Sequence, residues 1–291
     1  MLALGAAPHS ATASSVARGS QRYSHVLVVV MENLSLGSAE TFPGYEALAH
    51  RYASASDSYA ASHPSLPNYL DLTSGSTFGI TSDCTSCYVR ADNLGAQLSA
   101  KHVSWGDYDQ GVPGACFLGP WDGLYAGKHN PFRYYEDIRS SRALCDHLLP
   151  LSVLTTNLAH HPSRVTSFSF VTPNVCNDGH SCSPTVAFRW LDGFVALVTR
   201  SPAWRDGGLL VVTWDESYDS DTSQVLPSGK VLATGGGGHI PTLIVAPGVP
   251  RGTVVGAPLT HASLLATIEH SFDLRYLLGA RAWAAHTLVL H

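Results

Sequence analysis

Charged residues are scarce in this sequence, and long hydrophobic runs are missing from it. Asp, Glu, Lys and Arg make up 13% of the 291 residues, whereas 45% of the residues are hydrophobic. This composition excludes intrinsic disorder, which requires low hydrophobicity and high charge. The longest uninterrupted apolar run, residues 26–31, is far shorter than the ~20 residues that a membrane-spanning helix needs. The sequence therefore predicts a soluble, globular protein without a transmembrane segment.

Positively charged residues are also scarce. The 17 Lys and Arg residues are outnumbered by 22 Asp and Glu residues, which leaves a net charge of −5. A broad nucleic-acid-binding surface needs clustered basic residues, so we expect no nucleic-acid partner. The G-x-S-x-G, H-E-x-x-H and G-x-x-x-x-G-K-[ST] motifs are missing as well. Their absence leaves a serine esterase of the common fold, a zincin and a P-loop enzyme without support.

The N-terminal segment differs from the rest of the chain. It is rich in Ala, Ser and Gly, and its Ala11-Thr12-Ala13 sequence is typical of a signal-peptidase cleavage site. We predict that residues 1–23 are a residual signal peptide, with a disordered N-terminus as the alternative. Residues 24–291 are predicted to form one domain. The expected location of the protein is therefore secreted, or extracellular.

Six cysteines support the same location, because an even number in an exported chain is typical of disulfides. Sequence proximity pairs the cysteines of two short loops, and exclusion pairs the remaining two. The predicted bridges are Cys84–Cys87, Cys176–Cys182 and Cys116–Cys145. A zinc site is the alternative for the C-x-x-C spacing, but a second C-x-x-C is missing.

Short apolar runs rich in β-branched residues predict four buried strands, at residues 25–31, 165–171, 209–214 and 240–246. Helix-like stretches lie between them, at residues 45–53, 91–100, 185–199 and 261–272. This alternation predicts an α/β fold, a three-layer αβα sandwich with a mostly parallel central sheet. Residues 108–150 are rich in Gly, Pro and aromatics and are too long for an ordinary connection. We interpret them as a functional insertion over the sheet edge.

Carboxylates and amides follow three of these strands. Glu32 and Asn33 follow the first strand, Asp178 comes shortly after the second, and Asp215 and Glu216 follow the third. In open α/β sheets, ligands bind outside the carboxyl ends of the strands, and such oxygen donors suit a divalent cation. The alternative is that these residues only cap helices and turns.

Ser65 opens a predicted short helix that closes at Gly75, and we place Ser65 at its N-cap. The free N–H groups and the dipole at a helix N-terminus favour a phosphate anion, so Ser65 is a candidate nucleophile. Asn68, one turn later, is predicted to aim its amide at the same phosphate oxygens. A plain structural cap is the alternative role for Ser65.

Two histidines stand in settings that favour function. His239 follows a run of four glycines that permits close backbone approach to a ligand, and His180 follows Asp178. Because the chain has 15 histidines, a histidine near a motif is also expected by chance.

Together these segments resemble a known family. They are Met31-Glu32-Asn33, Ser62 to Tyr69, Thr172-Pro173-Asn174 with Asn177 to His180, Trp214-Asp215-Glu216, and Gly238-His239 with Ala246-Pro247-Gly248. In this order they are similar to the phosphoesterase family of the alkaline-phosphatase superfamily, which includes secreted bacterial acid phosphatases and phospholipases C. The resemblance runs from about residue 25 to residue 272. It implies an alkaline-phosphatase-like fold and phosphate-ester hydrolysis through a phosphoserine.

The resemblance also implies roles for individual residues. The implied metal ligands are Glu32, Asn33, Ser65, Asp215 and Glu216. Ser65 is then the nucleophile, and His180 or His239 protonates the leaving alcohol. Asn68 and Asp178 are the implied substrate-binding residues. Glu216 stands where two-zinc enzymes carry a histidine, which favours one divalent metal ion, with Ca, Mg, Mn, Fe and Zn all left open.

The function expected from these residues is that of a secreted, metal-dependent phosphomonoesterase of the acid phosphatase type. Its expected substrates are small phosphate esters, extending to phosphoinositide head groups. One alternative is a phospholipase C-type phosphodiesterase with the same site. An alternative of another class is a secreted protein that binds calcium and catalyses nothing. Because no basic cluster is visible, we expect soluble phosphomonoesters to be cleaved faster than phosphatidylcholine.

Overall fold

The computed structural model describes residues 22–218, 220–288 and 290. Of the predicted leader, residues 1–23, only Arg22 and Tyr23 fall within this range, so the prediction lies almost entirely outside the described residues. Among the residues that are described, no helix is both long and apolar enough to cross a bilayer.

An eight-stranded sheet forms the centre of the molecule. In chain order its strands are β1 (His25–Met31), β2 (Ala53–Ala55), β3 (Trp105–Asp109), β4 (Leu148–Pro150), β5 (Phe168–Thr172), β6 (Gly208–Trp214), β7 (Thr242–Val245) and β8 (Val254–Val255). Their order across the sheet is β8-β2-β7-β6-β1-β5-β3-β4. All neighbours run parallel except β7, which is antiparallel to both β6 and β2.

Helices cover both faces of this sheet. They are α1 (Leu36–Ala39), α2 (Pro43–Arg51), α3 (Ser65–Ser74), α4 (Leu94–Ala100), α5 (Glu136–Ser140), α6 (Arg142–Cys145), α7 (Leu151–His160), α8 (Pro184–Arg200), α9 (Pro202–Arg205) and α10 (His261–Ser271). Side chains alternate between the two faces of a strand, so β1 contributes to two cores. Val26, Val28 and Val30 join the core with α3, α4 and α10. Leu27, Val29 and Met31 join the core with α2, α7 and α8. The predicted three-layer αβα sandwich is confirmed.

Three short two-stranded ribbons lie outside the large sheet. They pair Ser58–Tyr59 with Leu259–Thr260, Trp121–Asp122 with Tyr125–Ala126, and Gln224–Val225 with Val231–Leu232. The described residues also form four short 3-10 helices, at Gly127–His129, Phe132–Tyr134, Pro162–Arg164 and Gly279–Trp283.

The four predicted strands correspond to β1, β5, β6 and β7, with β1 matching residue for residue. The four predicted helices correspond to α2, α4, α8 and α10, with ends that differ by at most three residues. Strand β3 was not predicted, because two aspartates and a glycine interrupt its apolar pattern. In the structure, Asp107 and Asp109 are nevertheless buried, in the strand that lies between β5 and the edge strand β4.

Residues 108–150 include the end of β3 and all of β4, which pair with each other in parallel. Their middle portion is therefore a crossover connection between two adjacent strands at the sheet edge, and it contains α5, α6 and two of the 3-10 turns. This connection delivers Lys128 and His129 to the carboxyl ends of the strands.

The three predicted disulfides are all present: Cys84–Cys87, Cys116–Cys145 and Cys176–Cys182. Cys84 directly follows Asp83, and the third bridge encloses Asp178 and His180. The alternative of a zinc-thiolate site at the C-x-x-C spacing is wrong, because both of its cysteines are consumed in one disulfide.

A buried acid in α10 leads to a testable prediction about stability. Glu269 is fully buried, and its Oε1 accepts a hydrogen bond from the Leu277 N–H at 2.9 Å. Its Oε2 has no partner, and burial raises the pKa of Glu269 to about 8. As the pH rises from about 4.5 to 8, the unfolded chain loses this proton while the folded chain keeps it, so stability falls over that window.

We expect Glu269→Gln to remove this loss, because glutamine keeps the acceptor oxygen and carries no charge. The free energy of unfolding at pH 8 should rise by a few kcal/mol, with little change at pH 4.5. Urea denaturation at the two pH values measures the effect, and Glu46→Gln on the exposed face of α2 is the matched control. Parallel pH dependences for Glu269→Gln and the wild type would contradict the prediction.

Candidate active site

Side chains from three strand ends and the crossover connection meet at Ser65. The Ser65 hydroxyl lies 3.4 Å from Glu32 Oε2, 3.4 Å from Glu216 Oε1 and 3.2 Å from Lys128 Nζ. Ser65 itself is almost fully buried, yet it lines a cavity of about 560 Å³ that opens to solvent. The lining residues are Asn33, Pro64, Ser65, Asp83, Lys128, His180, Glu216, Tyr218 and Ser220.

Ser65 is the first residue of α3, and Pro64 is the N-cap. The prediction that Ser65 occupies the N-cap is therefore wrong by one position. Pro64 has extended backbone angles and offers no capping side chain, and the Ser65 hydroxyl makes no capping hydrogen bond to the helix. Instead Asp83 Oδ1 accepts a hydrogen bond from Leu66 N–H in the first turn, at 3.0 Å. The helix ends at Gly75 in the left-handed conformation, as predicted.

The carboxylates of Glu32 and Glu216 lie beside the Ser65 hydroxyl, and that of Asp215 lies next to both of them. Asp215 is completely buried, and its Oδ1 accepts hydrogen bonds from Asn33 N–H at 3.0 Å and Glu216 N–H at 2.7 Å. Its Oδ2 has no hydrogen-bond partner. Burial and the negative charges of Glu32 and Glu216 raise the pKa of Asp215 well above its usual range. Ionisation of Asp215 is therefore disfavoured while its two neighbours are charged.

Oxygen donors surround Ser65, where the sequence predicts a divalent cation. Among the residues described by the structure, no three His, Cys, Asp or Glu side chains form a preassembled metal site. The chemistry of the donors nevertheless fits a hard cation, because carboxylate, hydroxyl and amide oxygens are its preferred ligands. The unpartnered Asp215 Oδ2 is a buried acceptor that a cation would satisfy.

His129 stands behind Glu32 and connects it to Asp178. Its Nε2 lies 2.7 Å from Glu32 Oε1 and its Nδ1 lies 3.2 Å from Asp178 Oδ2, while its ring stacks on Tyr69. Burial alone would lower the pKa of His129, but the two carboxylates raise it to about 9. Burial alone would raise the pKa of Glu32, but His129 and Lys128 lower it to about 2. An imidazolium therefore holds Glu32 in its charged form.

Lys128 brings a positive charge to Ser65. Its ammonium group donates a hydrogen bond to Asp83 Oδ2 at 2.8 Å and another to Ser65 Oγ at 3.2 Å. His180 Nε2 lies 3.5 Å from the same nitrogen. Burial alone would lower the pKa of Lys128, but the charges of nearby carboxylates, led by Glu32, raise it. The nucleophile candidate is thus within hydrogen-bond distance of two carboxylates and of one ammonium group.

Comparison with known protein families agrees with this arrangement. The profile of the Phosphoesterase family matches residues 16–275, which is most of the chain. The chain belongs to the Phosphoesterase family. Its resemblance to that family, carried by five short motifs in the sequence, is confirmed.

Several curated relatives of this phosphoesterase are named as phosphatases. Phosphate-repressible acid phosphatase from Penicillium chrysogenum is 28% identical over 222 residues, which are 74% of this chain and 51% of the relative. Phosphatidylinositol-3-phosphatase from Mycobacterium tuberculosis is 29% identical over 277 residues, which are 93% of this chain and 83% of the relative. The chain spans about half the length of the fungal acid phosphatases that it matches.

Solved structures confirm the fold of this phosphoesterase. A protein of the alkaline phosphatase superfamily from Vibrio parahaemolyticus superposes with a TM-score of 0.60 at 10% identity, covering 92% of this chain and 71% of that one. Murine ectonucleotide pyrophosphatase/phosphodiesterase 5 superposes with a TM-score of 0.54 at 11% identity, covering 87% of this chain and 96% of that one. At these identities the likeness concerns the fold alone.

Most of the residues that the sequence singled out come together in the structure. Glu32, Asp215 and Glu216 surround Ser65 as expected from their strand ends. Asn33 lies beside them, and its amide donates to Glu32 Oε2 at 2.8 Å. His180 lies at the mouth of the cavity.

Asn68 is not placed where the sequence predicts it. Its side chain is completely buried, and its Oδ1 accepts hydrogen bonds from the N–H groups of Ala61 and Ser62. Its Nδ2 donates to the carbonyls of Ser62 and Pro64. Because all of these bonds go to the backbone before α3, Asn68 holds the loop that presents Ser65. It does not aim its amide into the cavity.

His239 and Asp178 also lie away from the hydroxyl. His239 stacks on Tyr59, its Nε2 lies 3.1 Å from the Ser56 carbonyl, and it does not line the cavity at Ser65. Asp178 is completely buried, contacts His129, and accepts a hydrogen bond from His180 N–H at 2.8 Å. The structure therefore places Asp178 as a support for two histidines and leaves His180 as the better-placed candidate acid.

Sequence reasoning missed four residues of the site: His63, Asp83, Lys128 and His129. His63 Nδ1 lies 2.5 Å from Glu216 Oε2, and the other three make the contacts described above. One available signal was the scarcity of lysine, since Lys128 is one of only three in the chain and stands in the unusual connection at 108–150. Asp83 and His63 carry no such signal, because their partners are distant in sequence.

Proposed function

We propose that this phosphoesterase is a metal-dependent phosphomonoesterase of the acid phosphatase type that works through a phosphoserine. The observation that carries the proposal is the setting of the Ser65 hydroxyl at the base of an open cavity. The carboxylates of Glu32 and Glu216 and the ammonium group of Lys128 all lie within 3.2–3.4 Å of it. The phosphatase names of its relatives support the same activity.

The residues that would hold the divalent cation are Glu32, Asn33, Ser65, Asp215 and Glu216. When bound, such an ion lowers the pKa of a coordinated hydroxyl and neutralises phosphoryl charge. Binding such an ion would require the carboxylates to stay charged and in place. His129 holds Glu32 in this way, through the contact of its Nε2 with Glu32 Oε1.

In the first step, the Ser65 hydroxyl releases its proton to water in the cavity, and Oγ attacks phosphorus in line with the ester oxygen, forming the Oγ–P bond as the ester P–O bond breaks. His180, which is exposed and lines the cavity, donates a proton to the departing alkoxide, which leaves as the alcohol. In the second step, a water molecule gives one proton to His180 and attacks the phosphoserine, breaking the Oγ–P bond and releasing phosphate, while Ser65 Oγ takes a proton back from water. The chain mainly contributes positioning and charge stabilisation.

Small soluble phosphate esters are the proposed substrates. The relative named phosphatidylinositol-3-phosphatase supports extending the range to phosphoinositide head groups. Three disulfides support a secreted location, because disulfides persist in oxidising compartments.

Hydrolysis of 4-nitrophenyl phosphate before and after treatment with a chelator tests the proposal. We expect turnover by the purified protein, loss of most of it in the chelator, and recovery when divalent metal is added back. Activity that is unaffected by exhaustive chelation would refute metal dependence. A protein that binds calcium and hydrolyses no phosphate ester would instead match the non-catalytic alternative.

The remaining alternative is a phospholipase C-type phosphodiesterase. We expect a larger kcat/KM for 4-nitrophenyl phosphate than for phosphatidylcholine in mixed micelles at the same metal concentration and pH. The reason is the cationic ammonium in the cavity, which favours the additional charge of a monoester. A clear preference for the diester would transfer the assignment to the phospholipase C alternative.

A further inference from the structure

We propose that Lys128, held by Asp83, selects phosphomonoesters over phosphodiesters. This inference rests on the proposed function and assigns the substrate preference of that site to two residues. Neither residue belongs to the motifs that carry the family resemblance. Lys128 comes from the crossover connection between β3 and β4, and Asp83 comes from the loop after α3.

The position of the ammonium group is the first part of the argument. Lys128 Nζ lies 3.2 Å from Ser65 Oγ, within hydrogen-bond distance of the atom that attacks phosphorus. In a productive complex, phosphorus lies ~3–3.5 Å from that oxygen. The non-bridging oxygens of the same phosphoryl group then come within reach of Nζ. Lys128 is therefore placed to contact the substrate directly.

The rigidity of this ammonium group is the second part. Asp83 Oδ2 accepts a hydrogen bond from Nζ at 2.8 Å, and Asp83 Oδ1 accepts one from Leu66 N–H at 3.0 Å. Asp83 thus ties the ammonium group to the first turn of the helix that carries Ser65. On the other side, the neighbouring residue His129 is held by Glu32 and Asp178. The lysine side chain is only 11% exposed.

Charge is the third part. Among the described residues that line the cavity, Lys128 is the only lysine or arginine, while Asp83 and Glu216 bring negative charge. A monoester dianion has a third non-bridging oxygen and one more negative charge than a diester monoanion. A buried hydrogen bond between ions is markedly stronger than one between neutral groups. Loss of the ammonium group must therefore penalise the monoester more than the diester.

The test compares two chromogenic substrates, 4-nitrophenyl phosphate and bis(4-nitrophenyl) phosphate, at one pH and one metal concentration. We expect Lys128→Met, which keeps most of the side-chain volume, to reduce kcat/KM for the monoester by about 100-fold or more. The loss for the diester should stay below about 10-fold. Lys128→Arg should retain part of the preference because it keeps the charge. Asp83→Asn should lower the same ratio by a smaller factor, as expected of a positioning residue.

Lys101→Met is the matched control, since Lys101 is half exposed and pairs with Asp273 away from the cavity. A second readout is the competitive inhibition constant of inorganic phosphate, which should rise at least 10-fold in Lys128→Met and remain unchanged in the control. Thermal unfolding of each variant identifies a loss of folding. If Lys128→Met does not fold, the ratios measured for Lys128→Arg and Asp83→Asn decide the outcome.

Equal losses for monoester and diester, with unchanged phosphate inhibition, would overturn the inference and reduce Lys128 to a structural ion pair. That outcome leaves the proposed function intact. The proposed function fails separately, if the wild-type protein hydrolyses neither substrate or if turnover does not depend on Ser65.

Discussion

Ser65→Ala is expected to abolish phosphomonoester hydrolysis while the protein stays folded. The substitution removes only the hydroxyl oxygen, which makes no capping bond to α3. Because this oxygen forms the bond to phosphorus, removing a nucleophile of this kind costs at least about 10⁴-fold in kcat. Steady-state hydrolysis of 4-nitrophenyl phosphate, together with the melting temperature, measures both expectations.

Ser74→Ala is the matched control for this variant, because Ser74 is buried at the other end of the same helix and donates to the backbone carbonyls of Leu70 and Ser76. It should retain activity close to the wild type. Rapid acid quenching of the wild-type reaction with ³²P-labelled substrate should also leave label on Ser65. If Ser65→Ala keeps more than a few per cent of the activity, the nucleophile lies elsewhere and the serine is only a helix-opening residue.

The second large effect is expected for Asp215→Ala. This variant removes a completely buried carboxylate that lies beside Glu32 and whose Oδ1 accepts hydrogen bonds from the backbone N–H groups of Asn33 and Glu216. We expect loss of bound divalent metal and a decrease in kcat/KM of at least about 10³-fold, since metal and nucleophile are proposed to share this site. Elemental analysis and steady-state kinetics are the two measurements.

Asp71→Asn is the control for removing a buried acid. Asp71 lies in α3, burial raises its pKa to about 7, and it does not line the cavity. We expect it to keep both metal and activity. Asp215→Asn adds a finer comparison, because the amide keeps an acceptor for the two backbone N–H groups while removing the charge. Full metal occupancy in Asp215→Ala would refute the shared site.

Several parts of the site followed from local sequence. Glu32 and Asp215 come directly after strands whose apolar, β-branched residues are easily recognised, and parallel strands bring their carboxyl ends to the same edge. The disulfides followed from sequence proximity in a similar way. These predictions succeeded because each depends on residues that are near one another in the chain or on a simple rule of sheet geometry.

The direction of the Asn68 amide could not be predicted from local sequence. Its spacing from Ser65 is that of one helical turn, which is compatible with an amide that faces the cavity and with one that faces the preceding loop. In the tertiary structure the amide faces the loop, because four partly buried backbone groups between Ala61 and Pro64 form their hydrogen bonds with it. His239 does not line the cavity for a comparable reason. Its ring stacks on Tyr59, and its Nε2 lies 3.1 Å from the Ser56 carbonyl.

The sequence by itself determined the αβα sandwich, the strand ends that carry acids, and the serine that opens α3, because hydrophobic periodicity and motif order are encoded locally. Only the tertiary structure decided which cations face those acids. Lys128 and His129 reach Ser65 and Glu32 from positions 63 and 97 residues away along the chain. No spacing rule predicts contacts at such separations, because they depend on how a long crossover connection packs against the sheet.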